Sequence, residues 1–152
     1  MIQRIQSLYL LAVAALMATA IFTPLAYFAA GVEEYKLYAF SLQGAQESYS
    51  TIYMGVIVAL AAIIPFVNIF LFKNRLLQIR LCAVELMLLV GSAIFMAIYY
   101  FLSNRMFSHL EFSAHGFHIA IIFPLIALVL DYLALRAIFR DEMLVKSLDR
   151  IR

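Results

Sequence analysis

Charged residues are scarce in this sequence, at 13% of the chain, whereas about a quarter is usual in a soluble domain. Hydrophobic residues make up 66% of it. A soluble domain of 152 residues has too much surface for its volume to bury that much apolar side chain. The composition therefore argues against a soluble fold and favours a chain whose solvent is lipid.

Cysteine, clustered positive charge and catalytic motifs are also lacking. The one cysteine, Cys82, lies inside an apolar run and is expected to be a buried thiol. The net charge is +2 and no basic stripe is present, which argues against a nucleic-acid partner. Neither a nucleophile beside a base nor a metal motif such as H-E-x-x-H occurs, so we expect no enzyme and no cofactor.

Four apolar runs are each long enough to cross about 30 Å of hydrocarbon as a helix. They cover about residues 8–30, 52–72, 81–102 and 118–135. The first run begins like a signal peptide, with Ala18 to Ala20 as a cleavage motif, but it continues for ten residues past that motif, so we expect it to be retained. The sequence predicts an all-α membrane protein, with residues 1–152 forming a single four-helix transmembrane bundle.

Lysine and arginine are distributed unequally between the connections, which predicts the orientation. With both termini in the cytoplasm, nine of these residues lie inside: Arg4, Lys73, Arg75, Arg80, Arg136, Arg140, Lys146, Arg150 and Arg152. Only Lys36 and Arg105 lie outside. The reverse orientation would place nine on the wrong side, so the sequence predicts that both termini are cytoplasmic.

The outer connections are rich in aromatic and β-favouring residues. Residues 34–42 and 48–53 are candidate strands around a turn at Gly44, and residues 108–113 alternate weakly. A short β-hairpin or small sheet is one interpretation. The alternative is an aromatic loop that lies on the lipid headgroups.

The second outer connection also contains every histidine of the chain. The weak candidates for metal ligands are His109, Glu111, His115 and His118. Imidazole and carboxylate groups suit zinc or copper, but this spacing matches no standard motif. Histidines bonded to the loop backbone are the favoured interpretation.

A polar residue occurs at one common depth in three of the spans. Asn68, Glu85 and Asp131 each lie four residues from the inner end of a span, which is about 6 Å at 1.5 Å per residue. Carboxyl groups at that depth need partners. Arg80 and Arg136 flank the layer, so the sequence predicts Glu85 paired with Arg136 or Asp131 paired with Arg80.

Two functions are open for this polar layer. Its pairs could hold the helices in register, or buried carboxyl groups could relay protons or cations. Residues 86–99 and 119–130 continue as apolar sequence, so no polar path leads outward. We therefore favour the structural role.

Residues 136–152 are predicted to be an amphipathic cytoplasmic helix that continues the fourth span. Its apolar stripe, broken by Asp141, consists of Ala137, Ile138, Leu144, Val145, Leu148 and Ile151. Such a stripe needs the membrane surface, a second copy of the chain or a protein partner to cover it. The mixed charge of the tail favours a protein partner.

The two ends of the chain carry its most specific pattern. The pattern consists of Met1–Gln6 and Leu8–Leu11 at the start, and of Arg136–Ile138, Asp141–Glu142, Leu144–Val145, Ser147 and Asp149–Arg150 at the close. It resembles the bacterial membrane-protein family catalogued as domain of unknown function 4293. The resemblance covers the whole chain and implies a bacterial cytoplasmic membrane, but it implies no activity.

Our first hypothesis from the sequence is a non-enzymatic accessory or scaffold protein that docks on a partner through its cytoplasmic face and tail. The alternative is a small transporter or ion-coupled protein that uses Glu85 and Asp131. The sequence does not choose an oligomeric state.

Overall fold

A computed structural model describes residues 2–30, 33–44, 48–72, 74–107 and 112–149. Its elements are four α-helices, five short strands and one 3-10 turn. In chain order they are α1 (Ile2–Phe22), β1 (Ala26–Ala30), β2 (Glu33–Leu37), β3 (Ser41–Gln43), β4 (Ser48–Ser50), α2 (Ile52–Phe70), α3 (Arg75–Phe107), β5 (Phe112–Phe117), the 3-10 turn (Ile119–Ile122) and α4 (Phe123–Asp149).

The four helices form an antiparallel bundle in which each packs against two neighbours, in the cyclic order α1, α2, α3, α4. Each helix is long and apolar enough to cross a membrane. Only 28% to 39% of each apolar segment is buried inside the bundle. Most of the side chains in these segments are therefore at least partly exposed on the outer surface of the bundle.

The inward face of each helix recurs every three or four residues, as a 3.6-residue period requires. In α3 it consists of Gln78, Cys82, Glu85, Leu89, Ser92, Met96, Tyr100 and Ser103. In α4 it includes Ala127, Asp131, Ala134, Ile138 and Asp141. Many of these positions are small, so the helices approach closely and the few polar ones are enclosed.

Helix α1 ends at Phe22, although the sequence predicted a first span that continued to residue 30. That boundary was wrong. Pro24 cannot donate a helical hydrogen bond, and it disfavours helical backbone in the residue before it. The backbone N–H of Leu25 instead donates to the carbonyl oxygen of Leu37 at 2.7 Å, which brings the chain into the sheet.

Both outer connections contribute to one antiparallel sheet, with strand order β4-β3-β2-β1-β5. Strand β1 pairs with β2 and with β5, so Phe28 lies opposite both Tyr35 and His115. Buried residues of the sheet, including Phe28 and Leu37, join the core cluster of the bundle. The small sheet is thus the correct alternative, and it caps one end of the bundle, called here the sheet end.

The opposite end of the bundle is called here the terminal end. There residues of α1, α3 and α4, together with Phe72 of the turn after α2, line one small cavity. Helix α4 continues without a break through the described part of the predicted tail, as far as Asp149.

Candidate functional site

Three polar residues predicted to share one depth lie on the inward faces of three helices. Asn68 of α2 and Glu85 of α3 are each 1% exposed, and Asp131 of α4 is fully buried. Glu85 follows Cys82 by three residues and precedes Leu89 by four, while Asp131 lies four residues after Ala127, so helical periodicity turns both inward.

Asn68 connects α2 to α3 through a small hydrogen-bond network. Its side-chain Nδ2 donates to the backbone oxygen of Gln78 and to Sγ of Cys82, both at 3.3 Å. Gln78 returns the contact, since its Nε2 donates to the backbone oxygen of Asn68 at 3.0 Å. The C-terminal turn of α2 is thereby fixed against the first turns of α3.

Gln78 and Cys82 were not assigned to the polar layer by sequence reasoning. The signal that indicates them is spacing, because Gln78, Cys82 and Glu85 follow one another at intervals of four and three residues on one helical face. Depth in the membrane alone does not indicate them, because residues one helical turn away lie at a different depth.

The two buried carboxyl groups form the centre of this cluster. Glu85 and Asp131 are close enough to interact electrostatically with each other, and the Cys82 thiol lies beside Asp131. In the described part of the chain, no hydrogen bond of normal geometry reaches either oxygen of Glu85, either oxygen of Asp131, or Oδ1 of Asn68. Buried oxygens of this kind are costly unless a donor or a cation satisfies them.

The ion pairs predicted for this layer were wrong. Arg80 and Arg136 are both exposed, and neither donates to a carboxyl group of the pair. Each arginine lies two positions from inward residues of its helix, which turns it about 200° away from the core. An arginine there keeps its guanidinium group in water without desolvation.

A second polar contact lies nearer the terminal end. Gln6 donates from Nε2 to Oδ2 of Asp141 at 2.6 Å, and Arg75 donates to the backbone oxygen of Asp141 at 3.4 Å. Asp141 interrupts the predicted tail stripe because it belongs to the inward face of α4, seven residues after Ala134.

A cavity of about 20 Å³ separates this contact from Gln78. It is enclosed by residues of α1, α3 and α4 and by Phe72: Gln6, Ser7, Leu10, Phe72, Arg75, Gln78, Ile138 and Asp141. The volume accommodates about one water molecule, and the polar lining suits one.

The predicted partner-binding stripe of the tail divides into two groups. Ile138 is buried against Leu10, Cys82 and Ala134, so its assignment to a partner surface was wrong. It follows Ala134 by four residues and therefore stays on the core face. Leu144 and Val145 are exposed, whereas Ile151 and the side chain of Leu148 lie outside the described residues.

The candidate metal ligands are only partly described. His115 is exposed, and His118 makes an edge contact with Tyr27 at 5.5 Å between ring centroids. His109 and Glu111 lie outside the described residues. Among the residues that the structure covers, no three histidine, cysteine or acidic side chains are grouped to hold a metal ion.

Comparison with known proteins gives one match. The model of the family described as Domain of unknown function (DUF4293) matches residues 2–151. No curated protein matches the chain.

Proposed function

This chain belongs to the family described as Domain of unknown function (DUF4293), and from that starting point we propose that it is a non-enzymatic accessory or scaffold protein of the bacterial cytoplasmic membrane. It crosses the membrane four times, with both termini in the cytoplasm. It docks on a protein partner through the terminal end of the bundle and the tail.

The distribution of basic side chains supports the proposed orientation. Among the described residues, the terminal end carries Arg75, Arg80, Arg136 and Arg140. Lys36 and Arg105 lie toward the sheet end. Positive residues are usually retained on the cytoplasmic side, so this distribution supports a cytoplasmic terminal end.

The observation that carries the docking proposal is an apolar surface beyond the length of a span. Helix α4 has 27 residues, or about 40 Å at 1.5 Å per residue, against about 30 Å of hydrocarbon. Its last turns therefore project from the membrane. They expose Met143, Leu144 and Val145, of which Leu144 is 51% exposed. Apolar side chains in water favour a partner that covers them.

A groove beside the tail extends this surface. It has a volume of about 510 Å³ and is lined by Asn74, Arg75, Leu76, Leu77, Arg80 and Glu142. Leucines flanked by charged groups of both signs resemble a protein interface, with an apolar centre and a polar rim. We therefore propose a protein partner with an apolar segment that carries mixed charge.

Site-specific photo-crosslinking in native membranes tests the docking proposal. A photoreactive residue at Leu77 or Leu144 should give one adduct of the same mass, and the same residue at Ser48 of the sheet end should not give it. Adding Leu144→Asp should abolish the adduct from position 77, because both positions contact one partner. Adducts with lipid alone, or an adduct from position 77 that survives Leu144→Asp, would contradict the proposal. An adduct of twice the chain mass would identify the partner as a second copy of this chain.

A second function is favoured by the carboxyl pair. Glu85 and Asp131 are buried at the centre of the bundle, and no oxygen or nitrogen donor of the described residues reaches their carboxyl groups, although the Cys82 thiol lies beside Asp131. Intramembrane acids of this kind mark proton or ion pathways in many membrane proteins. The alternative proposal is a proton-coupled or ion-coupled protein. Proton or Na⁺ flux into liposomes containing the chain tests it, with Glu85→Gln and Asp131→Asn expected to abolish the flux.

A further inference from the structure

Five buried side-chain oxygens on the inward faces of α2, α3 and α4 have no oxygen or nitrogen donor among the described residues, and a donor beside them is the Cys82 thiol next to Asp131. They are the four carboxyl oxygens of Glu85 and Asp131 and Oδ1 of Asn68. The nearby donor of Asn68, its Nδ2, is already committed to Gln78 and Cys82. The cluster thus holds acceptors in excess, a composition that suits a positively charged ligand.

Oδ1 of Asn68 is an observation separate from the acidic pair. Asn68 is 1% exposed and lies on α2, whereas Glu85 lies on α3 and Asp131 lies on α4. Its amide nitrogen contacts Sγ of Cys82, and that thiol lies beside Asp131. Cys82 therefore links the Asn68 amide group to the acidic pair, and Oδ1 of that amide has no hydrogen-bond partner among the described residues.

We propose that Glu85, Asp131 and Asn68 form a binding site for one exchangeable monovalent cation, a proton or Na⁺, which enters from the terminal end. Carboxylate and amide oxygens are ligands that hard cations prefer. One positive charge also relieves the repulsion between two neighbouring acids, as a shared proton does in other carboxyl pairs. A transition metal is disfavoured because the described residues group no three acidic, cysteine or histidine ligands.

Polar groups adjoin the site on its terminal side. The Gln6–Asp141 contact and Gln78 line one small cavity, and Gln78 also hydrogen-bonds to Asn68. Toward the sheet end, the described inward residues next to the site include Leu89, Met96 and Ala127, which are apolar and buried. The buried hydroxyl of Ser92 donates to the oxygen of Leu89 and is not available as a relay.

Each of the four helices has described residues that face the site. Helix α3 contributes Cys82 and Glu85, α4 contributes Asp131, and α2 contributes Asn68. The described inward residues of α1 at this level, Leu10 and Val13, are apolar. Arg80 and Arg136 point away, so no described basic side chain competes with the cation.

The site names a ligand for the second proposed function. Only transport of that ligand rests on the second proposed function, and binding does not. A site with one polar entrance binds and exchanges a cation without moving it across. Binding and flux are therefore separate observations. Flux that is absent while binding is present contradicts transport but leaves the site intact.

Labelling by a hydrophobic carbodiimide tests the site, because the reagent modifies protonated carboxyl groups. The full chain in detergent micelles is treated over a range of pH, in Na⁺ or in choline, and Glu85 and Asp131 are followed by mass spectrometry. Labelling that falls with rising pH equally in both salts identifies the proton. Labelling that Na⁺ suppresses at a fixed pH where choline does not identifies Na⁺. Labelling of neither residue, or labelling that neither pH nor Na⁺ changes, would overturn the proposal.

Two variants sharpen this test. If the ligand is Na⁺, Glu85→Gln should raise the Na⁺ concentration that protects Asp131 from labelling by at least about tenfold, since losing a supporting group costs a metal site that much or more. If the ligand is the proton, the same change should shift the pH at which Asp131 is labelled. The matched change Glu34→Gln, at an exposed carboxyl group of the sheet, should leave labelling as it is. Slow alkylation of the buried Cys82 verifies that each variant is folded. A folded Glu85→Gln chain whose Asp131 behaves as in the parent would refute the site.

Discussion

At the scale of single residues, the carboxyl groups of Glu85 and Asp131 are the unusual feature of the molecule. A buried acid that loses a basic partner typically costs about 3–5 kcal/mol, but these two have no described basic partner to lose. The groups around them are other acceptors. A neutral amide in place of either carboxyl group occupies the same volume and can donate to those acceptors.

Stability should therefore respond weakly to removing charge at the pair. Glu85→Gln and Asp131→Asn should each keep or raise the thermal midpoint in detergent, because the new amide N–H groups can donate to the unpartnered oxygens. Arg136→Gln should change the free energy of unfolding by no more than about 0.5 kcal/mol, as at other exposed positions. A loss of several kcal/mol of unfolding free energy in Arg136→Gln would instead support the ion pair that the structure contradicts.

Thr51 is a second residue whose contacts allow a direct prediction. It is buried where the sheet meets α2, and its Oγ1 lies 3.2 Å from the oxygen of Tyr38 and 3.0 Å from that of Ala39. Thr51→Val keeps the shape but leaves these oxygens without the hydroxyl donor, so it should cost about 1–3 kcal/mol. The control Thr19→Val, at an exposed helical site, should be close to neutral in the same thermal unfolding experiment. Equal effects from the two changes would show that the Thr51 contacts carry no stability.

Part of the candidate site could be predicted from the sequence, and the reason is geometric. Counting 1.5 Å per residue from the span ends gives depth, and depth brought Asn68, Glu85 and Asp131 into one layer. Pairing could not be predicted in this way, because it depends on direction around the helix. Arg80 and Arg136 have suitable depth and charge but point outward.

At the scale of elements, the sheet and the bundle meet through one close contact. Gly55, in the second turn of α2, lies under the ring of Phe40, and a Cβ built there would come within 2.6 Å of its Cε1. Gly91, in α3, has nothing within 4 Å of such a Cβ. The two helical glycines thus differ only in their neighbours.

Replacing each glycine by alanine should separate packing from helix propensity. Gly91→Ala should stabilise the chain by up to about 1 kcal/mol, since alanine is the better helix former. Gly55→Ala gains the same propensity but displaces the ring of Phe40, so its thermal midpoint should fall below that of Gly91→Ala and below the parent. A Gly55→Ala variant as stable as Gly91→Ala would show that the sheet does not rest on α2 at this point.

The elements also show where hydropathy stops being informative. Hydropathy located the four helices, because lipid-facing and core-facing side chains are both apolar. The same property concealed the end of α1, since Tyr27 and Phe28 of β1 are as apolar as the helix before them. Pro24 carried the signal, but a proline is also tolerated inside a transmembrane helix, and α2 does contain Pro65.

At the scale of the whole molecule, three features coincide at the terminal end. Four arginines, the small polar cavity lined by Gln6, Gln78 and Asp141, and the exposed last turns of α4 all lie there. The sheet end has a compact β-structure that covers the core, where Phe28 and Tyr100 pack at 5.3 Å between ring centroids. Docking as we propose it requires the terminal end to face the cytoplasm, whereas cation entry requires only that this end meet water.

Labelling of single introduced cysteines with a membrane-impermeant maleimide tests that requirement most directly. Ser48→Cys lies at the sheet end, Ser147→Cys lies near the end of α4, and both positions are exposed. The parent chain, whose Cys82 is buried, is the control. In intact spheroplasts we expect the reagent to label Ser48→Cys and not Ser147→Cys, until the membrane is opened. Labelling of Ser147→Cys before lysis, with Ser48→Cys protected, would contradict the orientation and the proposed docking on a cytoplasmic partner.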